Sequence, residues 1–191
     1  MKKFGLCVLM VFLTVQSASA QTNDFESRQY MGGSFGIAFE SFDDTGSFDV
    51  DESIVLGVQL GMRFKENFGI VQPAVELKFR YYDGFDVNSG VSGKVGEVDG
   101  WSVSVRPKAY FGNSIFRPFA YVGFGWMSAK HDIDGSGSVS DNDQFIEIGG
   151  GVEMSSGRMQ GWFLEANYIL PQGNLDGFDA FEFEIGYNFQ F

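Results

Sequence analysis

Phe181-Glu182-Phe183-Glu184-Ile185-Gly186-Tyr187-Asn188-Phe189-Gln190-Phe191 ends the chain, and it alternates without a break. Phe181, Phe183, Ile185, Tyr187, Phe189 and Phe191 fall on one register; Glu182, Glu184, Gly186, Asn188 and Gln190 fall on the other. Side chains of an extended strand point alternately to its two faces, so this period of two predicts a strand with one aromatic face and one polar face. Soluble strands usually run about five or six residues. A tilted strand that crosses a bilayer needs about 9–11. The length of this stretch fits the second case.

Working back toward the N-terminus, the same period recurs at 30–40, 52–64, 69–81, 98–111, 117–128, 143–154 and 161–170. In 52–64 the apolar row is Ile54, Leu56, Val58, Leu60, Met62 and Phe64, opposed by Gly57, Gln59, Gly61 and Arg63. In 69–81 Val71, Pro73, Val75, Leu77, Phe79 and Tyr81 oppose Gln72, Glu76, Lys78 and Arg80. Eight such segments form an even set, which closes an antiparallel barrel with both ends on one side. The connections alternate in kind. Those at 65–68, 112–116 and 155–160 are short, whereas those at 41–51, 82–97, 129–142 and 171–178 are longer and rich in Gly, Asp, Ser and Asn. Short periplasmic turns and long external loops are the habit of outer membrane barrels. The fold class expected is all-β: an eight-stranded antiparallel transmembrane β-barrel over 30–191.

Alternation alone permits a soluble barrel with its apolar rows inside. Three features favour the inverse arrangement. The interior of an eight-stranded barrel is only wide enough for side chains to fill it, and rows bearing Trp101, Trp126, Trp162, Phe79, Phe124, Phe181 and Phe183 would overfill it. Glycines such as Gly57, Gly61, Gly123, Gly125, Gly149 and Gly186 lie in the polar rows, where a crowded interior suits them. Aromatic residues also gather near strand ends, as in interfacial girdles. The polar rows then become the lumen, and they carry Glu40, Arg63, Glu76, Lys78, Arg80, Arg106, Lys108, Glu147, Glu153, Glu165, Glu182 and Glu184, five basic residues and seven acidic. Charges so enclosed need partners, so we expect an ion network that fills and fixes the lumen. Barrels with a wide aqueous pore have about 16 strands or more.

The first twenty residues read differently. Lys2 and Lys3 precede an apolar run from Phe4 to Val15, and Ala18-Ser19-Ala20 ends the segment. This is the layout of a cleavable secretory signal, 1–20, followed by a short polar periplasmic lead, 21–29. Cys7 lies within the signal, so the mature part has no cysteine. Eleven Lys and Arg follow the signal against 25 Asp and Glu, an excess of 14 negative charges. Such a surface disfavours nucleic acid. After Gln21 no apolar stretch is long enough for a membrane helix.

The acidic excess sits mainly in the long connections. Asp132-x-Asp134-x-Ser136, with Gly137 sixth and Asp143 twelfth, has some look of a calcium loop. Ser138 and Ser140 at the seventh and ninth positions and the lack of flanking helices argue against it. His131, the single histidine, has Ser128 and Ser136 nearby in sequence, but a lone histidine in a Gly/Ser/Asp-rich loop reads as solvated. No cofactor, metal site or enzymatic activity is expected.

Two local features resemble a known family. Arg117-Pro118-Phe119-Ala120-Tyr121-Val122-Gly123-Phe124-Gly125 is similar to an Arg-Pro-Tyr-x-x-x-Gly-x-Gly strand, and Ile185 to Phe191 is similar to a C-terminal assembly signal with aromatic residues leading to a final Phe. Both occur in the small outer membrane barrels typified by OmpX and the transmembrane domain of OmpA. The OmpA pattern would continue into a peptidoglycan-binding domain, and the expectation here departs from that pattern in placing no such domain after the barrel. The resemblance implies residence in the cell outer membrane, contact with lipid and lipopolysaccharide, and recognition of Tyr187, Phe189 and Phe191 by the barrel-assembly machinery. The role expected is a structural or surface-interaction protein, monomeric, that presents four acidic loops to an extracellular ligand. A narrow ion channel, a lipid-modifying enzyme and a soluble periplasmic carrier are the competing expectations.

Overall fold

A computed structural model describes residues 28–42, 48–50, 52–65, 68–89, 93–112, 115–133, 137–155, 160–173 and 178–191. The segments read as signal and most of the lead fall outside the described residues. The chain forms β1 (Arg28–Phe42), a short β2 (Phe48–Val50), β3 (Ser53–Arg63), β4 (Val71–Ser89), β5 (Gly93–Phe111), β6 (Phe116–Ile133), β7 (Gly137–Ser155), β8 (Gln160–Gln172) and β9 (Phe178–Gln190). Each long strand pairs antiparallel with its sequence neighbours, and β1 also pairs with β9. That last ladder closes an eight-stranded barrel, to which β2 adds only a three-residue patch on the end of β4. Closure leaves no unpaired strand edge in the hydrocarbon, where each orphaned backbone group costs several kcal/mol.

The pairing climbs as it goes round. From Arg28 the partners run through Arg63, Ala74, Lys108, Tyr121, Gly149, Asn167 and Glu182, and return to β1 at Ala38. The ladder therefore comes back ten residues further along the strand on which it began. This stagger goes with a strand tilt of about 35–45°.

All eight alternating segments are strands of the barrel, and the direction of each row agrees with the sequence reading. The row Phe35, Leu56, Val58, Phe124, Leu164 and Phe183 is exposed on the outer wall, whereas Gln59, Glu76, Arg106, Glu147 and Glu182 are buried inside. Strand lengths differ from expectation. β4, β5, β6 and β7 run 18 or 19 residues, so most of the expected loops 82–97 and 129–142 are hairpin. Past the membrane both faces of a strand meet water, so the ladder continues while the alternation stops. Asp86, Gly96 and Ser138 continue strands without marking them. A bulge between Tyr82 and Phe85 bends β4 at the start of this extension, and Gly84 there has φ 54°, a conformation that suits glycine.

Candidate functional site: the ion-paired lumen

Four strands deliver the cations and four the carboxylates, with β4 common to both. Arg63 comes from β3, Lys78 and Arg80 from β4, Arg106 and Lys108 from β5, and Arg117 from β6. Glu76 shares β4 with two of the bases; Glu147 and Glu153 come from β7, Glu165 from β8, Glu182 and Glu184 from β9. The acidic wall thus faces the basic wall across the lumen.

Arg106 is the hub. Its Nε and Nη2 donate side-on to Glu147 at 2.8 Å each, and its Nη1 donates to Glu165 at 2.8 Å and reaches Glu76 at 3.4 Å. The Tyr121 ring lies 4.3 Å from its guanidinium carbon, and the Tyr121 hydroxyl donates to Glu165 at 2.9 Å. Arg80 joins Glu147 at 2.7 Å, Glu184 at 3.0 Å and Glu182 at 3.2 Å. Lys78 bridges Glu184 and Glu165 at 2.7 and 3.2 Å, and Lys108 holds Glu76 at 2.7 Å. Neutral groups complete the set: Ser34 donates to Glu184 at 2.5 Å, Asn167 to Glu182 at 2.8 Å and Tyr30 to Glu76 at 2.8 Å. Nearer the periplasmic turns, Glu153 binds both Arg63 and Arg117. A buried ion pair gives little net stability when intact, but removing one partner costs about 3–5 kcal/mol, because the other charge stays buried alone.

The structure brings together eleven of the twelve charged residues expected inside. For Glu40 only the backbone is described, opposite Ala180. Arg117 completes the set and was not expected. It is the second residue of β6 and the first of the strand expected at 117–128, on the same register as the inward Tyr121 and Gly123. With Arg117 counted, six cations face six carboxylates among the described side chains.

The lumen also holds aromatic residues, and Tyr110, Tyr121 and Phe163 among them fall on the registers read as inward. Tyr30, Tyr82, Tyr110, Phe119, Tyr121, Phe145 and Phe163 are buried within it. Six of them sit directly opposite a glycine: Tyr30 on Gly61, Tyr82 on Gly100, Phe119 on Gly151, Tyr121 on Gly149, Phe145 on Gly125 and Phe163 on Gly186. A Cβ added at Gly61, Gly149, Gly125 or Gly186 would land on the ring. The inward glycines are therefore seats for rings. Phe145, Ile169 and Ala180 form an apolar layer on the extracellular side of the charges. Ala74, Tyr110, Phe119, Tyr121 and Phe163 form another toward the periplasm.

The remaining expected sites lie elsewhere. Tyr187 and Phe189 are on the outer wall of β9, with ring centroids 4.8 Å apart, and Phe191 donates its backbone N–H to Gln29 at 3.0 Å. Asp132 pairs with Ser138 and Asp143 with Met127, so the stretch read against a calcium loop is an antiparallel hairpin, with 134–136 outside the described residues. His131 lies in β6 between Val98 and Val139, and its side chain is outside the described residues.

A closed antiparallel barrel with an apolar outer wall and an ion-paired interior is the architecture of a transmembrane protein of the bacterial outer membrane. The chain belongs to the outer membrane protein beta-barrel domain family, whose model matches residues 6–191. It resides in the outer membrane, and proteins of this family sit in its lipid and lipopolysaccharide and are inserted by the barrel-assembly machinery. Solved structures with the same fold include OprG from Pseudomonas aeruginosa (TM-score 0.62, 16% identity, 86% of this chain and 95% of that one). They also include Ail, the attachment invasion locus protein of Yersinia pestis (0.59, 19%, 86% and 97%), and Neisserial surface protein A (0.57, 12%, 86% and 97%). At these identities the likeness is one of fold. No curated protein matches the chain by sequence.

Proposed function

We propose that the protein is a non-conducting, non-enzymatic barrel that holds an acidic surface outward for contact with cationic partners. The observation that carries this reading is the burial of the ion network: Lys78, Arg80, Arg106, Glu147 and Glu182 are each 0% exposed, with apolar layers on both sides. A second feature gives the sign of the partner. The extensions of β4 to β7 carry Asp83, Asp86, Glu97, Asp99, Asp132, Asp141 and Asp143 against Lys94 and Lys130. The Yersinia pestis protein has been solved with the heparin analogue sucrose octasulfate, a polyanion. The charge on the present extensions favours the opposite ligand, because like charges repel at long range.

The test has two arms. Purified barrel in planar bilayers is expected to give no ion current steps. Cells displaying it are expected to bind surfaces coated with polylysine in a salt-sensitive manner and to leave heparin unbound. Shortening the β4–β5 and β6–β7 hairpins to the membrane level should remove the binding. Steady conductance, heparin binding, or polylysine binding that survives the shortening would each overturn the proposal.

A further inference from the structure

Among the described side chains the charges of the lumen balance in number but not along its axis. At the periplasmic end Arg63 and Arg117 share Glu153, with Arg117 Nη2 at 2.5 Å from Oε1. Asn188 donates to the same carboxylate at 3.2 Å. The next carboxylate, Glu76, is already engaged by Lys108, Arg106 and Tyr30. Two guanidinium charges therefore meet one carboxylate. Deeper in the lumen the four bases Lys78, Arg80, Arg106 and Lys108 face the five acids Glu76, Glu147, Glu165, Glu182 and Glu184.

Unpartnered guanidinium donors gather at the same end: Arg63 is 1% exposed, yet its Nε and Nη1 have no acceptor among the described residues, and neither has Arg117 Nε, against the single Nη1 of Arg80 deeper in the lumen. The Tyr110 and Tyr30 rings lie 4.4 and 4.9 Å from the Arg63 guanidinium carbon. The rings cover the guanidinium and leave donors at its edge. Donors of a charged group buried without an acceptor are costly, and bonds from guanidinium to an oxyanion are among the strong ones. The Arg117 side chain is 15% exposed, which marks the side from which a ligand arrives.

We propose that Arg63 and Arg117, framed by Tyr30 and Tyr110, form an anion-binding site at the periplasmic mouth that takes a small oxyanion of the phosphate class. The bound anion accepts from the free guanidinium edges and neutralises the local excess of positive charge. This site is independent of the extracellular surface and of any partner that binds there.

The probe is inorganic phosphate, added to the full barrel refolded in maltoside micelles, which contain no phosphate. The readout is the NMR shift of the two arginine Nε–H groups, with chloride at matched ionic strength as control. Phosphate should move both signals saturably and chloride should not. Arg117→Gln, which leaves the Arg63–Glu153 pair in place, should weaken the apparent affinity for phosphate about tenfold. A parallel titration in phosphatidylglycerol nanodiscs separates the source. Signals already shifted before phosphate is added, and unmoved by it, assign the site to a lipid headgroup; signals that still titrate assign it to a free oxyanion. Absence of a saturable shift in both micelles and nanodiscs overturns the proposal, as does an equal response to chloride or an unchanged affinity in Arg117→Gln.

Discussion

The lumen and the lipid-facing wall are built from alternate residues of the same strands, and they obey opposite rules. On the wall, Phe35, Leu164, Phe183 and their neighbours meet only hydrocarbon and one another. Any apolar side chain suffices there, since lipid makes no directional demand. Inside, nearly every side chain has a named partner: Arg106 answers to Glu147, Glu165 and Glu76, and Tyr121 needs both Glu165 and the bare backbone of Gly149. The wall is specified by class of residue, the lumen by identity. Moving one position along a strand therefore changes the penalty for a substitution from slight to severe.

The comparison can be tested most severely at the hub. Arg106→Met leaves Glu147 and Glu165 without their main partner, and should lower the unfolding free energy by about 3–5 kcal/mol in urea titrations of the refolded barrel. Replacing Glu147 by Gln in the same background should recover part of that loss. The next effect belongs to the wall. Leu164→Arg puts a charge against hydrocarbon and should cost about 2–4 kcal/mol if the position lies near the midplane, whereas Leu164→Phe should leave the urea midpoint nearly unmoved. Two glycines give the finest contrast. Gly149→Ala drives a methyl group into the Tyr121 ring and should cost about 1–3 kcal/mol. Gly33 faces outward, where an added Cβ meets only Gly57 O at 3.7 Å. Gly33→Ala should therefore stabilise by about 0.4–1 kcal/mol, through lost freedom of the unfolded chain. Equal responses at the two glycines would remove the distinction between the faces.

The wall was legible in the sequence because lipid imposes it residue by residue. From Tyr30 to Phe191 every apolar row keeps its register for the length of the bilayer, so strand number and the direction of each side chain could be read directly. The extensions of β4 to β7 were not legible, because in water a strand has no need to alternate. The seats of the inner aromatic residues were hidden for another reason. Phe163 and Tyr121 fall on the inward register, but the glycine that seats each ring appears only in the ladder. Pairwise identity across strands is a property of register, and no single segment contains it. The charged residues of the lumen were legible as a set, but their partners were not, since Arg80 and Glu184 are 104 residues apart.

That separation bears on how the molecule is made. Lys78 and Arg80 on β4 find Glu184 and Glu182 only on β9, the strand that also seals the barrel against β1. Until the seam closes, Lys78 and Arg80 have only the partners that β7 and β8 bring, Glu147 and Glu165, and the last strand arrives with two carboxylates of its own. Zipping the seam and discharging the interior are then one event. A barrel that stops short remains electrically marked as incomplete, whereas a finished one hides every trace of that charge from the bilayer around it.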